Sequence, residues 1–225
     1  PPEHLYTNQT GAYYRAPHIY VSIAARFIPK RQVLTEEEVS KAGIVEGYYK
    51  EVSDAVFFTT RGGNRYDRTF LESFVRPGLG ANHWASRTNY PALNVVETGP
   101  AEMSFYVNRD YASAKANLAR YTLRPDGFSS LHAGYKGGDA VTKPFRFTGS
   151  KLELNYSTSA AGSLAIEVQD ESGKTVAESV EIVGDHLARN VEWKTGGDLA
   201  AYAGKTVRLK FRMKDADLFS LRFHN

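Results

Sequence analysis

The chain contains no cysteine. Disulfide staples and thiolate metal sites are therefore excluded, the redox compartment stays open, and stability must rest on a buried core. Nowhere does the sequence approach the roughly 18 consecutive apolar residues that a membrane helix needs, so no membrane partner is expected. Neither sign of charge prevails: 28 basic and 25 acidic residues leave a formal +3. That is a mixed surface without a basic stripe, and no nucleic-acid partner is expected. Neither an initiator methionine nor a signal peptide stands in PPEHLYTNQT, which is the start expected of a processed protein or an excised portion of a longer one. Helical periodicity is scarce as well. What is present, in 225 residues of which 42% are hydrophobic, is an aromatic and β-branched texture, sufficient for a core and mainly β.

The motifs of common enzyme classes are missing too. The histidines (His4, His18, His83, His132, His186 and His224) are dispersed, with no HExxH spacing, and no metal site is expected. Asp215-Ala216-Asp217 is the nearest approach to a calcium motif, with tight-turn carboxylates as the plainer alternative. Gly-x-Ser-x-Gly, a Walker loop and a dinucleotide fingerprint are all absent, so no cofactor is expected. A hydrolase with a scattered triad stays open, because triads are geometric.

Along the chain, 18–29 (HIYVSIAARFIP) predicts one or two strands. Residues 34–54 hold one short helix: Thr35 and Glu38 have capping-box spacing, while Gly43 and Gly47 limit its length. FFTTRGGNRYDR, at 57–68, predicts a hairpin turning on RGGN. LNVVETG (93–99) and AEMSFYVNR (101–109) form the next strand pair, and Pro125-Asp126-Gly127 predicts a turn. The glycine-rich stretch 134–144 predicts a domain boundary. Beyond it, KLELNYSTS, SLAIEVQD, KTVRLKFRMK and LFSLRF alternate apolar with polar residues, as half-buried antiparallel strands do. The expected organisation is 1–140 as propeller-like blades with a helical insertion near 35–50, then 143–225 as a jelly-roll-like antiparallel β-sandwich.

Several stretches together, YYRAPHIYVSIAARFIP, SDAVFFTTRGGNRYDR, FVRPG, WASRTNYPALNVVETGPAEMSFYV, RYTLRPDGFSSLHAGYKGG and LNYSTSAAGSLAIEVQDESG with KDADLFSLRF, resemble bacterial glycosidase-like proteins related to glycoside hydrolase families 32 and 43. Those proteins are similar to five-bladed β-propellers followed by a β-sandwich. The resemblance reaches only their C-terminal half; the first blades, which would carry the family's nucleophile or base aspartate, have no counterpart here. It implies a carbohydrate substrate, a secreted or periplasmic location, and possible self-association through open blade edges. Residues 59–66 also have the outline of the Ser-x-Asp-x-Gly-x-x-Trp hairpin of sialidase-like propellers, with Arg61 in the aspartate position and Tyr66 in the tryptophan position. That outline makes RGGN a structural tip.

Glycoside hydrolysis needs two carboxyl groups flanking the scissile bond. Glu97 ends an apolar strand before a Gly-Pro connection, Glu102 begins the next strand, and Asp54 opens VFFTT; these are the candidate catalytic residues. Arg15, His18 and Tyr20, in YYRAPHIY, and Trp84, Arg87 and Asn89, in a polar loop flanked by aromatics, are the candidate sugar-binding residues, because rings stack on sugar C–H faces while amides and guanidinium groups bond hydroxyls. Three functions follow: a glycoside hydrolase or its C-terminal portion, a non-catalytic carbohydrate-binding accessory module, and a hydrolase of another substrate such as an ester. In the second half, Trp193 is either a core residue or an exposed polysaccharide platform.

Overall fold

In the computed structural model, which describes residues 2–225, β-strands dominate and pair in three antiparallel sheets. The chain divides into two units at Arg124 and Pro125.

The first unit begins with a sheet of β1 (His4–Leu5), β2 (Thr10–Tyr13), β3 (Ala16–Ile28) and β4 (Val52–Thr60). β1 and β2 share one edge of β3, and β4 lines the other from Tyr20↔Thr60 to Ile28↔Val52. Residues 21–25 and most of β4 are buried without alternation, as expected where both faces of a strand are covered. The polar residues within them are satisfied: Ser22 bonds the Asn8 carbonyl, and Ser53 Oγ donates to Thr88 O at 2.6 Å.

The RGGN tip is a turn. Gly62 and Gly63 have φ of 103° and 75°, which a side chain would oppose. Thr60 Oγ1 closes it by donating to Arg65 O at 2.6 Å, and Arg61 is exposed. The return run is not a second strand. It makes one ladder pair, Thr59↔Asp67, before Val75 reaches Ala55. Tyr66 anchors it, its hydroxyl lying 3.2 Å from Thr10 Oγ1 and 3.3 Å from Asn8 Nδ2.

Between β3 and β4 lies α1 (Glu36–Ala42), begun by the Thr35–Glu38 capping box and ended at Gly43. The local chemistry is reciprocal: each side chain bonds the other's backbone N–H, at 2.8 and 3.2 Å, which satisfies two donors the helix cannot. Val39 packs with Leu34, Ile44, Tyr49 and Ala85 in a small core that Trp84 also touches. The second sheet holds β5 (Tyr90–Pro91), β6 (Val96–Gly99), β7 (Glu102–Arg109) and β8 (Asn117–Leu123), with β5 and β6 on one edge of β7 and β8 on the other.

The second unit is one six-stranded sheet: β9 (Leu131–Ala133), β10 (Gly138–Val141), β11 (Lys151–Gln169), β12 (Thr175–Glu178), β13 (Asp185–Asn190) and β14 (Arg208–His224). The glycine-rich boundary expected at 134–144 is not where the chain divides. β9 and β10 both pair with β14, so these residues are structure of the second unit. KLELNYSTS and SLAIEVQD form one long strand, and KTVRLKFRMK and LFSLRF form most of another. The two pair along their length except where residues 159–162 stand opposite Asp215 alone. Gly162 is obligatory there, since a Cβ would meet the Asp215 and Lys214 carbonyl oxygens at well under 3.0 Å. Leu152, Leu154 and Tyr156 before this bulge, and Leu164, Ile166 and Val168 after it, join one core with Leu209, Phe211 and Trp193. Trp193 is thus a core residue and no platform.

Candidate functional site

A cleft of about 650 Å³ opens in the first unit, and its polar lining is Glu3, Arg26, Arg31, Asp54, Arg76 and the Trp84 indole, with Ser53 and Ser73 beside them. The apolar lining is Ile28, Val52 and Pro77. Each wall has an identifiable support. Arg26 and Asp54 come from adjacent strands in direct register. Trp84 sits on a short 3₁₀ turn, Ala81–Trp84, held against the α1 core. Its Nε1–H donates to Gly78 O at 2.9 Å. Arg109, buried behind the 76–78 loop, donates to Pro77 O at 2.6 Å and to the Tyr121 hydroxyl at 2.9 Å.

The carboxylates in the cleft are already engaged. Arg26 Nε and Nη2 donate to the two oxygens of Asp54 at 2.8 and 2.6 Å, the parallel fork geometry that guanidinium and carboxylate favour. Arg26 also donates to Leu71 O at 2.9 Å. Glu3 pairs with Arg68 and, at 3.4 Å, with Arg26. The Arg68 hydrogen bond holds the Glu3 carboxyl below its usual range against the opposing effect of burial, and the Asp54 hydrogen bond raises Arg26. Arg31 and Arg76 are exposed and carry no ion pair or side-chain hydrogen bond among the described residues.

Of the residues expected to form a site, the cleft brings together two, Asp54 and Trp84. Glu97 is exposed on β6 and lies opposite Met103. Glu102 is a surface residue that accepts from Thr98 Oγ1 at 2.7 Å and from Arg120 at 3.0 Å. Neither lines the cleft. Arg15, His18 and Tyr20 are exposed on the β2–β3 hairpin and lie outside it. Arg87 turns away to Tyr48, its guanidinium 5.1 Å from the ring centre and bonded to the hydroxyl at 3.2 Å. Asn89 is fully buried. Its amide nitrogen ties Ser53 O at 2.9 Å to His83 O at 3.1 Å, so it braces the loop and cannot meet a ligand.

Glu3, Arg26, Arg31 and Arg76 escaped notice. Arg26 and Asp54 each carried a signal, a charge inside an otherwise apolar strand, but their pairing depends on register. A second unforeseen pair is His83 and Asp110, with Nδ1 and Oδ1 2.7 Å apart. The contact is short but poorly directed for a hydrogen bond, and it is an ion pair only when His83 is protonated. Asp110 is fixed by its own backbone N–H, bonded to Thr88 Oγ1 at 2.7 Å, and by Asn117 Nδ2 at 3.1 Å.

In the second unit Asp217 accepts from Ser130 at 2.6 Å and meets His132 Nδ1 at 3.0 Å. Among the described residues no three His, Asp or Glu side chains are grouped to hold a metal, and no helix is long and apolar enough to cross a membrane. Neither the family models nor the curated proteins searched give a match to this chain.

Proposed function

We propose that this chain is a non-catalytic carbohydrate-binding or accessory module, and that the cleft beside Trp84 is its saccharide site. The observation that carries this is the state of the cleft carboxylates. A glycosidase acid must hold a proton near neutral pH, which requires an apolar surrounding or a like charge. Asp54 instead faces a two-pronged guanidinium, and Glu3 is held ionised by Arg68. Glu97 and Glu102 lie outside the cleft, which weighs against their service as the acid of a glycoside hydrolase. An indole among Ile28, Val52 and Pro77 supplies the apolar face on which a sugar ring rests.

The architecture supports the same assignment. In the first unit two small sheets, each built round one central strand, are in keeping with propeller blades. In the second, a single core fed by both halves of β11 is in keeping with a sandwich. Self-association along open edges belongs to this proposal; β8, which pairs only with β7 among the described residues, supplies such an edge, and sedimentation velocity tests it.

The functional test is calorimetric titration with a panel of oligosaccharides, beside aryl glycoside hydrolysis. Binding that falls ~10-fold or more in Trp84→Ala and is unchanged in Glu97→Gln and Glu102→Gln, without turnover, is expected. Glycoside turnover abolished by Glu97→Gln or Glu102→Gln would overturn the proposal.

Hydrolysis of an ester is the second reading, and one separate observation favours it: His83 Nδ1 lies 2.7 Å from Asp110 Oδ1, the residue types and closeness of the base and carboxylate of a triad, in which a small turn of the ring would direct the hydrogen bond. No hydroxyl bonds His83 Nε2 among the described residues, so a nucleophile is the missing part. Aryl ester cleavage lost in His83→Gln would establish it.

A further inference from the structure

The ligand that fits this cleft is narrower than saccharides in general. Guanidinium groups are donors only, five N–H each and no lone pair. A neutral sugar offers hydroxyls that must both donate and accept, so a cleft built for one presents acceptors as well as donors. Here both carboxylates already face cations, and the neutral donors are spent. Both Asp54 oxygens are occupied by Arg26, and Glu3 is shared between Arg68 and Arg26. The two serines direct their protons to backbone, Ser53 to Thr88 O at 2.6 Å and Ser73 to Ala55 O at 3.3 Å. The Trp84 N–H is committed to Gly78 O.

Charge points the same way. Arg26 and Arg68 offset Asp54 and Glu3, which leaves Arg31 and Arg76 as uncompensated cations on the lining. With the serine and indole protons committed to backbone, the donors left to a ligand are two guanidinium ions beside an indole, which suits a molecule with an apolar ring face and an acceptor-only anionic substituent.

We infer that the cleft takes an acidic saccharide of the uronate class, with Arg31 and Arg76 receiving the carboxylate and Trp84 the ring. This rests on the saccharide assignment above and deepens it. Arg26 is the frame of the site and not a ligand contact, because its donors are directed to Asp54, Leu71 O and Glu3.

The test is titration calorimetry of the whole chain with a short oligogalacturonate, the same oligomer as its methyl ester, a neutral oligoglucoside and inorganic phosphate, each at low and high salt. The acid is expected to bind ~10-fold or more tightly than its ester, with an affinity that falls as salt rises. Arg31→Gln with Arg76→Gln should abolish the preference, and the double lysine variant should restore part of it. Both arginines are exposed, so folding is not at stake, and the acid–ester comparison needs no variant. Equal binding of acid, ester and neutral oligomer would overturn the uronate inference and leave the saccharide assignment standing. Phosphate binding without any glycan binding would overturn both, as would no binding at all.

Discussion

Arg26 and Asp54 stand directly opposite each other on β3 and β4, joined by two parallel hydrogen bonds of 2.8 and 2.6 Å. Their side chains are only 16% and 15% exposed. A pair this far out of water gains from its geometry and loses from desolvation, so the intact pair is worth less than the cost of breaking it.

Arg26→Met should therefore destabilise the protein by about 2–3 kcal/mol, because Asp54 is left ionised without a partner. Adding Asp54→Leu should recover much of the loss. Urea unfolding of the two variants measures this; an Arg26→Met variant as stable as the parent would mean that water reaches Asp54 freely.

The acid limb should carry the signature of Glu3. Its carboxyl lies below the ordinary 4.5 in the folded chain, chiefly through the Arg68 hydrogen bond. The unfolded chain takes up the proton first as pH falls. The stabilisation is thus complete above about 4.5 and is lost as pH drops through that value toward the lower folded one. Glu3→Gln should be less stable than the parent at neutral pH, with the gap closing below 4.5. Unfolding curves across this range check it.

The alkaline limb belongs to Tyr90. Burial, aided by Tyr6, pushes its phenol up to about 12 from the ordinary 10.0. The folded chain holds this proton after the unfolded chain has released it, so the contribution is complete below 10 and is lost as pH rises toward 12. Ultraviolet titration should lose a late phenol in Tyr90→Phe, while that of Tyr49, raised by its hydrogen bond to Glu36, remains. The buried hydroxyl has no hydrogen-bond partner among the described residues, so Tyr90→Phe should cost little at neutral pH.

Gly162→Ala should destabilise by about 1–3 kcal/mol, the range for forcing a methyl group into a filled space. The neighbours are the Asp215 and Lys214 carbonyls, backbone atoms that cannot swing aside. Thermal unfolding beside Gly173→Ala, whose Cβ would meet nothing within 4 Å, separates crowding from left-handed strain.

Much of the local structure was legible because its causes are local. Thr35 and Glu38 announce the start of α1 three residues apart, and RGGN announces a turn. What escaped is non-local. The 134–144 stretch has the glycine content of a linker, yet Gly138–Val141 is a strand because β14 offers it an edge. In the site, Asn89 has the composition of a binding residue but spends its amide on two carbonyls. Glu97 was expected to end a strand but lies within β6, and neither it nor Glu102 lines the cleft beside Trp84. Asp54 and Trp84 were identified singly; Arg26 and Arg76 join them only once register and loop course are known.

β14 carries a consequence for how this sequence tolerates change. Before Asp215 its odd-numbered residues Leu209, Phe211 and Met213 face the core; after it the even-numbered Ala216 and Leu218 do. Asp215 itself has φ of 45°. One residue thus shifts the hydrophobic reading frame of a continuous strand. Losing Asp215 alone would leave Ala216 and Leu218 in phase with Met213, in a strand without its kink, whereas losing one residue elsewhere along β14 would turn one half of its apolar residues out of the core.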